Sequence, residues 1–224
     1  MPERLMGFSQ MEKFLHHHGQ VLPMNRANID TDTIMPKQYL KCINKYGYGD
    51  WVFDSWRYLD PGDVDIPTSK RRANPKFELN LPKYKGATLL LAQKNFGCGS
   101  SREHAVWGLR DYGIKVVICP MFPDIFLNNC FANGLLAIEL EQKNVDHLFE
   151  LAESDTGLSV TIDLSQQQIE LANRTIAFEI DESLRQNLLN GLDNISVTLQ
   201  QSDKIRNFEQ HYFKHRPWLK ADLK

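Results

Sequence analysis

Between residues 86 and 140, short apolar runs alternate with amphipathic stretches, and that rhythm leaves few architectures open. Residues 87–92 (A-T-L-L-L-A) are almost wholly apolar and follow Gly86, as expected of a strand buried on both faces. A glycine-rich turn comes next. Ala105, Val106, Leu109 and Tyr112 are then spaced by three and four, and Gly113 stands where a helix C-terminal glycine belongs, so a helix is expected over 101–112. Residues 114–119 (I-K-V-V-I-C) predict a second strand. Pro123 can open a second helix with Ile125, Phe126, Asn129 and Cys130 on one side, stopped at Asn133 and Gly134, and 135–140 predicts a third strand. Strands and helices alternating at this spacing form parallel crossovers. The fold class is therefore α/β, with a central mostly parallel sheet and flanking helices.

The rest of the chain adds elements without this regularity. A helix is expected over 144–153, a hairpin from 158–163 and 168–171, and a strand over 176–180. A helix over 181–190 would be capped by Asp181 and ended by Gly191; a strand over 195–199 and a terminal helix over 203–213, ended by Pro217 and Trp218, follow. Residues 46–82 are rich in Gly, Pro, Trp and Asp with little periodicity, and read as a long functional or interface loop rather than core; the aromatic part, 46–58, is the expected partner contact. Residues 1–10, before Met11, read as an extension, 11–218 as one domain and 219–224 as a tail.

Composition excludes several functions. A net charge of −2 opposes nucleic-acid binding, and the short basic cluster Lys70, Arg71, Arg72 reads as a solvated loop. No apolar run reaches the roughly 18–20 residues of a membrane span, and the first residues lack a signal-peptide stretch, so a cytoplasmic protein is expected. Cys42, Cys98, Cys119 and Cys130 match no paired metal spacing, and His16, His17 and His18 would diverge or alternate. No metal site is expected on this chain.

The chemistry concentrates in N-F-G-C-G-S-S-R-E-H, residues 95–104, between the first buried strand and the first helix, where open α/β sheets bind ligands. Gly97 and Gly99 permit a sharp bend, and amides of Ser100, Ser101 and Arg102 at a helix start would hold an anion. Arg102 in a first helical turn opposes the helix dipole unless a negative group answers it. A substrate carboxylate would do so with two hydrogen bonds; the plain alternative is that Ser101 caps the helix and Arg102 pairs with a carboxylate such as Glu103. The segment is not the G-x-S-x-G elbow of hydrolases, a phosphate loop or a dinucleotide fingerprint. Cys98 as a nucleophile lacks a supporting histidine. A second segment, residues 28–36 (N-I-D-T-D-T-I-M-P), fails as a calcium loop because Thr33 stands at the glycine position and Tyr39 at the closing glutamate; Asp and Thr there fit a self-capped turn.

Taken together, residues 95–104, 28–36, the Gly47-x-Gly49 loop running to Tyr58, 123–136 and 188–193 resemble the small subunit of bacterial 3-isopropylmalate dehydratase, in the aconitase superfamily. The resemblance implies a β/β/α swivelling domain closing over a large subunit that bears a [4Fe-4S] cluster, none being bound by this chain. It also implies a hydro-lyase of leucine biosynthesis, active only with the large subunit, that interconverts 2- and 3-isopropylmalate. By the family's pattern Ser100 would be the base, Arg102 a carboxylate ligand, Ser101 and Gly99 further substrate contacts, and Asp32 with Thr31 the organisers across the cleft. In the superfamily the loop 37–43 contributes to substrate choice, so Tyr39, Leu40 and Ile43 are candidates to face an isopropyl group. The same chemistry on another malate-like acid, and a non-enzymatic carboxylate-binding module, are the competing readings.

Overall fold

The computed structural model describes residues 11–42, 44–154 and 157–219; the expectations for 1–10, Ile43 and 220–224 lie outside them. Seven strands form one sheet in the order β4-β3-β2-β1-β5-β6-β7. These are β1 (His16–Met24), β2 (Leu89–Ala92), β3 (Val116–Cys119), β4 (Leu136–Glu139), β5 (Ser159–Asp163), β6 (Gln168–Glu170) and β7 (Thr175–Ala177). β1 to β4 pair in parallel, and β5 to β7 continue the sheet antiparallel from the other edge of β1. The helices are α1 (Thr31–Ile34), α2 (Asp54–Arg57), α3 (Glu103–Tyr112), α4 (Asp124–Ala132), α5 (Gln142–Glu153), α6 (Glu182–Asn190), α7 (Asn194–Leu199) and α8 (Ser202–His215).

The alternating series is built as its pattern requires. All four residues of β2 are fully buried, Leu90 and Ala92 in one hydrophobic layer and Leu89 and Leu91 in the other. Each such leucine contributes about 1.5–3 kcal/mol of burial, which is why a four-residue strand suffices. Gly113 closes α3 in the left-handed conformation, and Asp181 caps α6 through the Ser183 and Leu184 amides.

Four expectations are corrected. The central strand, β1, has no counterpart in the sequence reading, because three histidines, Gly19 and Pro23 give H-H-H-G-Q-V-L-P-M no strand-like alternation. Residues 195–199 are helical rather than extended: the Asp193 side chain accepts from the Ser196 amide, and the segment pairs with no strand. The excursion 46–82 is not wholly loop: it contributes Tyr48, Val52, Phe53, Phe77 and Leu79 to the core, with Trp51 and Trp56 packed against it, while much of 59–76 stays exposed. Within 46–58, Tyr48, Val52 and Phe53 are buried, Trp51 and Trp56 are half-buried, and Tyr46, Asp50 and Ser55 are exposed. Finally, Arg71 does not lie in a solvated loop; it is buried and forms an ion pair with buried Asp54.

Candidate active site

Parallel pairing of β1 with β2 carries their C-terminal ends to the same edge of the sheet, and the chain then departs twice, through 25–36 and 93–102. Hydrogen bonds continue the pairing beyond the strands. The Asn28 amide donates to the Lys94 carbonyl (3.0 Å), Gly97 to Ile29 (2.7 Å) and Thr31 to Cys98 (2.9 Å). The Thr31 hydroxyl donates to the Ser100 carbonyl at 2.7 Å, and the Asn95 side chain donates to that of Asn28 at 2.8 Å. Two segments 70 residues apart in the chain are thereby fixed as one unit.

The glycines are where this unit needs them. Gly97 has φ +80°, and a Cβ there would lie 2.2 Å from the Phe126 ring, so no side chain fits. At Gly99 a Cβ would meet only ordinary contacts, 3.5 Å from Asp30 Cβ, but φ is +88°, the left-handed region that favours glycine. Ser100 and Ser101 follow, both exposed, and among the described residues neither hydroxyl has a hydrogen-bond partner. α3 starts two residues later than its pattern suggested. Arg102 is therefore its N-cap, in extended conformation, rather than a first-turn residue.

Arg102 pairs with Asp32, not with Glu103, whose carboxylate instead accepts from the Asn133 side chain at 2.8 Å. Among the described residues only its Nη1 is engaged, leaving the other guanidinium donors free. The Arg102 side chain is 18% exposed and that of Asp32 50%, so the pair stands in contact with water. A cleft of about 240 Å³ opens beside it, lined by Thr31, Gly97, Gly99, Ser100, Ser101 and Arg102 on one wall and by Pro123, Asp124, Ile125, Phe126 and Asn129 on the other. Thr31, Gly99, Ser100, Ser101 and Arg102 thus share one cavity, with Asp32 reaching it through Arg102.

Electrostatics separate the candidates. Burial, and then Asp30, push the Cys98 thiol up, the wrong direction for a nucleophile. Burial holds His104 below its ordinary value, where its ring packs against Trp107 (4.6 Å) and Tyr48 (5.4 Å). The remaining cysteines do not suit a metal cluster: Cys119 is pushed up to about 12 by burial, Cys130 is fully buried, and Cys42 is distant in sequence. No group of three or more metal-ligating side chains converges among the described residues.

Of the loop expected to contribute to substrate choice, Tyr39 is buried and stacked on Trp51 at 4.6 Å, Leu40 is half-buried against the core, and Ile43 lies outside the described residues. Sequence reasoning missed the second wall. Its pattern groups Ile125 with packed residues, yet Ile125 is 58% exposed, while Phe126, Cys130 and Phe131 supply the buried face of α4. The run Met121 to Ile125, two exposed apolar residues flanking a helix start, was the available signal.

A strand-to-helix bend of this kind, seated at the parallel edge of a mixed sheet, belongs to the aconitase C-terminal domain, whose family model matches residues 11–143; the chain belongs to that family. Residues 146–182 match LeuD_N, and residues 194–222 match the C-terminal domain of the 3-isopropylmalate dehydratase small subunit. The crystal structure of 3-isopropylmalate dehydratase (leuD) from Methanocaldococcus jannaschii is similar at 26% identity and a TM-score of 0.60, over 87% of this chain and 99% of that one. Aconitase X from Thermococcus kodakaraensis, at 13% identity and a TM-score of 0.35 over 73% of this chain and 97% of that one, is too distant to bear on function. Within the aconitase superfamily the chain is thus a member of the 3-isopropylmalate dehydratase small-subunit family, lyases of leucine biosynthesis whose small subunits act with a large one. Among the described residues no helix is long and apolar enough to cross a membrane.

Proposed function

We propose that this chain is the small subunit of a cytoplasmic hydro-lyase that interconverts 2-isopropylmalate and 3-isopropylmalate through isopropylmaleate, in complex with its large subunit. The observation that carries this reading is the meeting, in one cleft, of two serine hydroxyls without partners among the described residues and a guanidinium engaged there through one nitrogen. Arg102 exchanges part of its contact with Asp32 for a substrate carboxylate, a bidentate match that its free donors allow. Ser101 and the backbone at Gly99 add donors to the same group. Thr31 acts at one remove, holding the Ser100 carbonyl and so the direction of the bend.

Ser100 Oγ, as an alkoxide, then takes the proton from the carbon next to a carboxylate, and hydroxide leaves the neighbouring carbon. Returning the proton and hydroxide to exchanged carbons gives the isomer. An ordinary hydroxyl is too weak an acid for this, so Arg102 and the amides leading into α3 must offset the oxyanion. A [4Fe-4S] cluster on the large subunit is the source of Lewis acidity for the hydroxide; the cysteines of this chain do not fit one.

Reconstitution tests the reading. The chain mixed anaerobically with its large subunit should form the unsaturated acid, followed by ultraviolet absorbance, and the chain alone should form none. Activity of the isolated chain, or failure of the assembled pair on 3-isopropylmalate with turnover of another malate-like acid, would overturn it.

A further inference from the structure

The two walls of the cleft belong to different helices: Ser100 to Arg102 lead into α3, and residues 123–129 form the start of α4. One side chain joins these helices outside the cleft. Asn133, the C-cap of α4, donates through Nδ2 to Glu103 Oε1 (2.8 Å) and to the Asn129 carbonyl (2.9 Å), and its Oδ1 accepts from Trp107 Nε1 (3.0 Å). The amide can face only one way, because an indole N–H only donates and a carboxylate only accepts. Glu103 follows Arg102 directly, as the first residue of α3. Its carboxylate is thereby turned toward α4, where it lines a separate opening of about 450 Å³ rather than the cleft.

We propose that Asn133 is a positioning residue for substrate binding: by engaging Glu103 it keeps a competing carboxylate off the guanidinium of Arg102. The inference rests on the proposed function, in which that guanidinium receives a substrate carboxylate. Arg102 is extended at the N-cap of α3, so the helical geometry that holds adjacent side chains apart does not separate it from Glu103. Asp32 already engages one of its nitrogens, and a second protein carboxylate at the remaining donors would occupy the positions a substrate needs. A neutral amide outside the cleft thus preserves both the charge of Arg102 and its free donors. Lys45, whose ammonium lies 5.5 Å from the Trp107 ring centre, and Arg110 line the same opening as Glu103, and are the other cations a released carboxylate would meet.

The test is a double-mutant cycle in the assembled enzyme at saturating large subunit, with KM and kcat read for 3-isopropylmalate. Asn133→Leu, close in size but without donors, should raise KM about tenfold, as when a charge-assisted hydrogen bond is contested, and change kcat far less. Glu103→Ala breaks the same hydrogen bond but leaves no competitor, so KM should stay within about twofold of wild type, and adding it to Asn133→Leu should restore KM. A contact that merely braces the two helices gives the opposite pattern, with Glu103→Ala as damaging as Asn133→Leu and no rescue, and that result would overturn the proposal. An unmoved KM in Asn133→Leu, as when the released carboxylate turns to Lys45 or Arg110, overturns it equally. Asn133→Ser, smaller and still polar, carries the cycle if the leucine variant does not assemble. Absence of isopropylmalate turnover by the wild-type complex would instead defeat the underlying functional reading. A crystal structure of the Asn133 variant then decides the inference alone: Glu103 paired with Arg102 upholds it, and Glu103 anywhere else sinks it.

Discussion

Two arginine–aspartate pairs in this chain are chemically alike and physically opposite. Arg71 and Asp54 have side chains 3% and 4% exposed; those of Arg102 and Asp32 are 18% and 50% exposed. Arg71 donates to both Asp54 oxygens, gives Nε and Nη2 to the Asp60 carbonyl at 3.2 and 2.7 Å, and lies 4.2 Å from the Tyr58 ring centre. Arg102 spends one nitrogen on Asp32 and keeps the rest. A saturated pair can only hold the chain together, whereas an unsaturated pair at a cavity is available to a ligand. The same two residue types therefore separate into stability and recognition according to burial and donor count.

The largest effect expected from breaking this comparison is on stability. Arg71→Ala leaves the Asp54 carboxylate buried without a partner and should cost about 3–5 kcal/mol of unfolding free energy, measured by denaturant titration. Replacing both residues by apolar ones of similar volume should cost much less than either single change, and equal losses would deny that the charge is uncompensated. Arg102→Lys should move stability by less than about 1 kcal/mol but raise KM for substrate about tenfold or more, since a charge-assisted hydrogen bond of about 1.5–3 kcal/mol is lost with the planar fork. A KM at the wild-type value would return Arg102 to a structural role. The smallest effect is electrostatic. Burial and the Arg102 charge both depress His104, and Glu103 raises it; Arg102→Ala should therefore shift the His104 imidazole titration upward in NMR, and an unmoved titration would place the guanidinium elsewhere. With its folded pKa depressed below 6.5, His104 favours the folded state fully above that pH and loses this contribution as pH falls through the folded value.

The contrast between the pairs also marks what the sequence could disclose. β2, α3, β3, α4 and β4 were readable because their signals are local: four-residue strands that are apolar save for Glu139 at the end of β4, and glycine stops at Gly113 and Gly134. The bend at 95–104 was readable for the same reason, and its resemblance to a known family supplied Asp32 as a distant companion. Arg71 was misread because Lys70 and Arg72 on either side are exposed, and only Asp54, 17 residues away, makes burial tolerable. β1 was hidden because its place at the centre of the sheet depends on β2 and β5, not on its own composition. The α4 wall escaped notice since what brings Ile125 to the cleft is the fit of Phe126 against Gly97, a contact between residues with no sequence pattern in common.

The central claim is that the uncommitted hydroxyl of Ser100 removes the substrate proton while Arg102 holds a carboxylate beside it. Steady-state turnover of Ser100→Ala in the assembled complex, with association of the two subunits measured on the same sample, tests it most directly. The account predicts a loss of about a hundredfold or more in kcat with association intact. A variant that keeps more than about a tenth of the wild-type rate would contradict it.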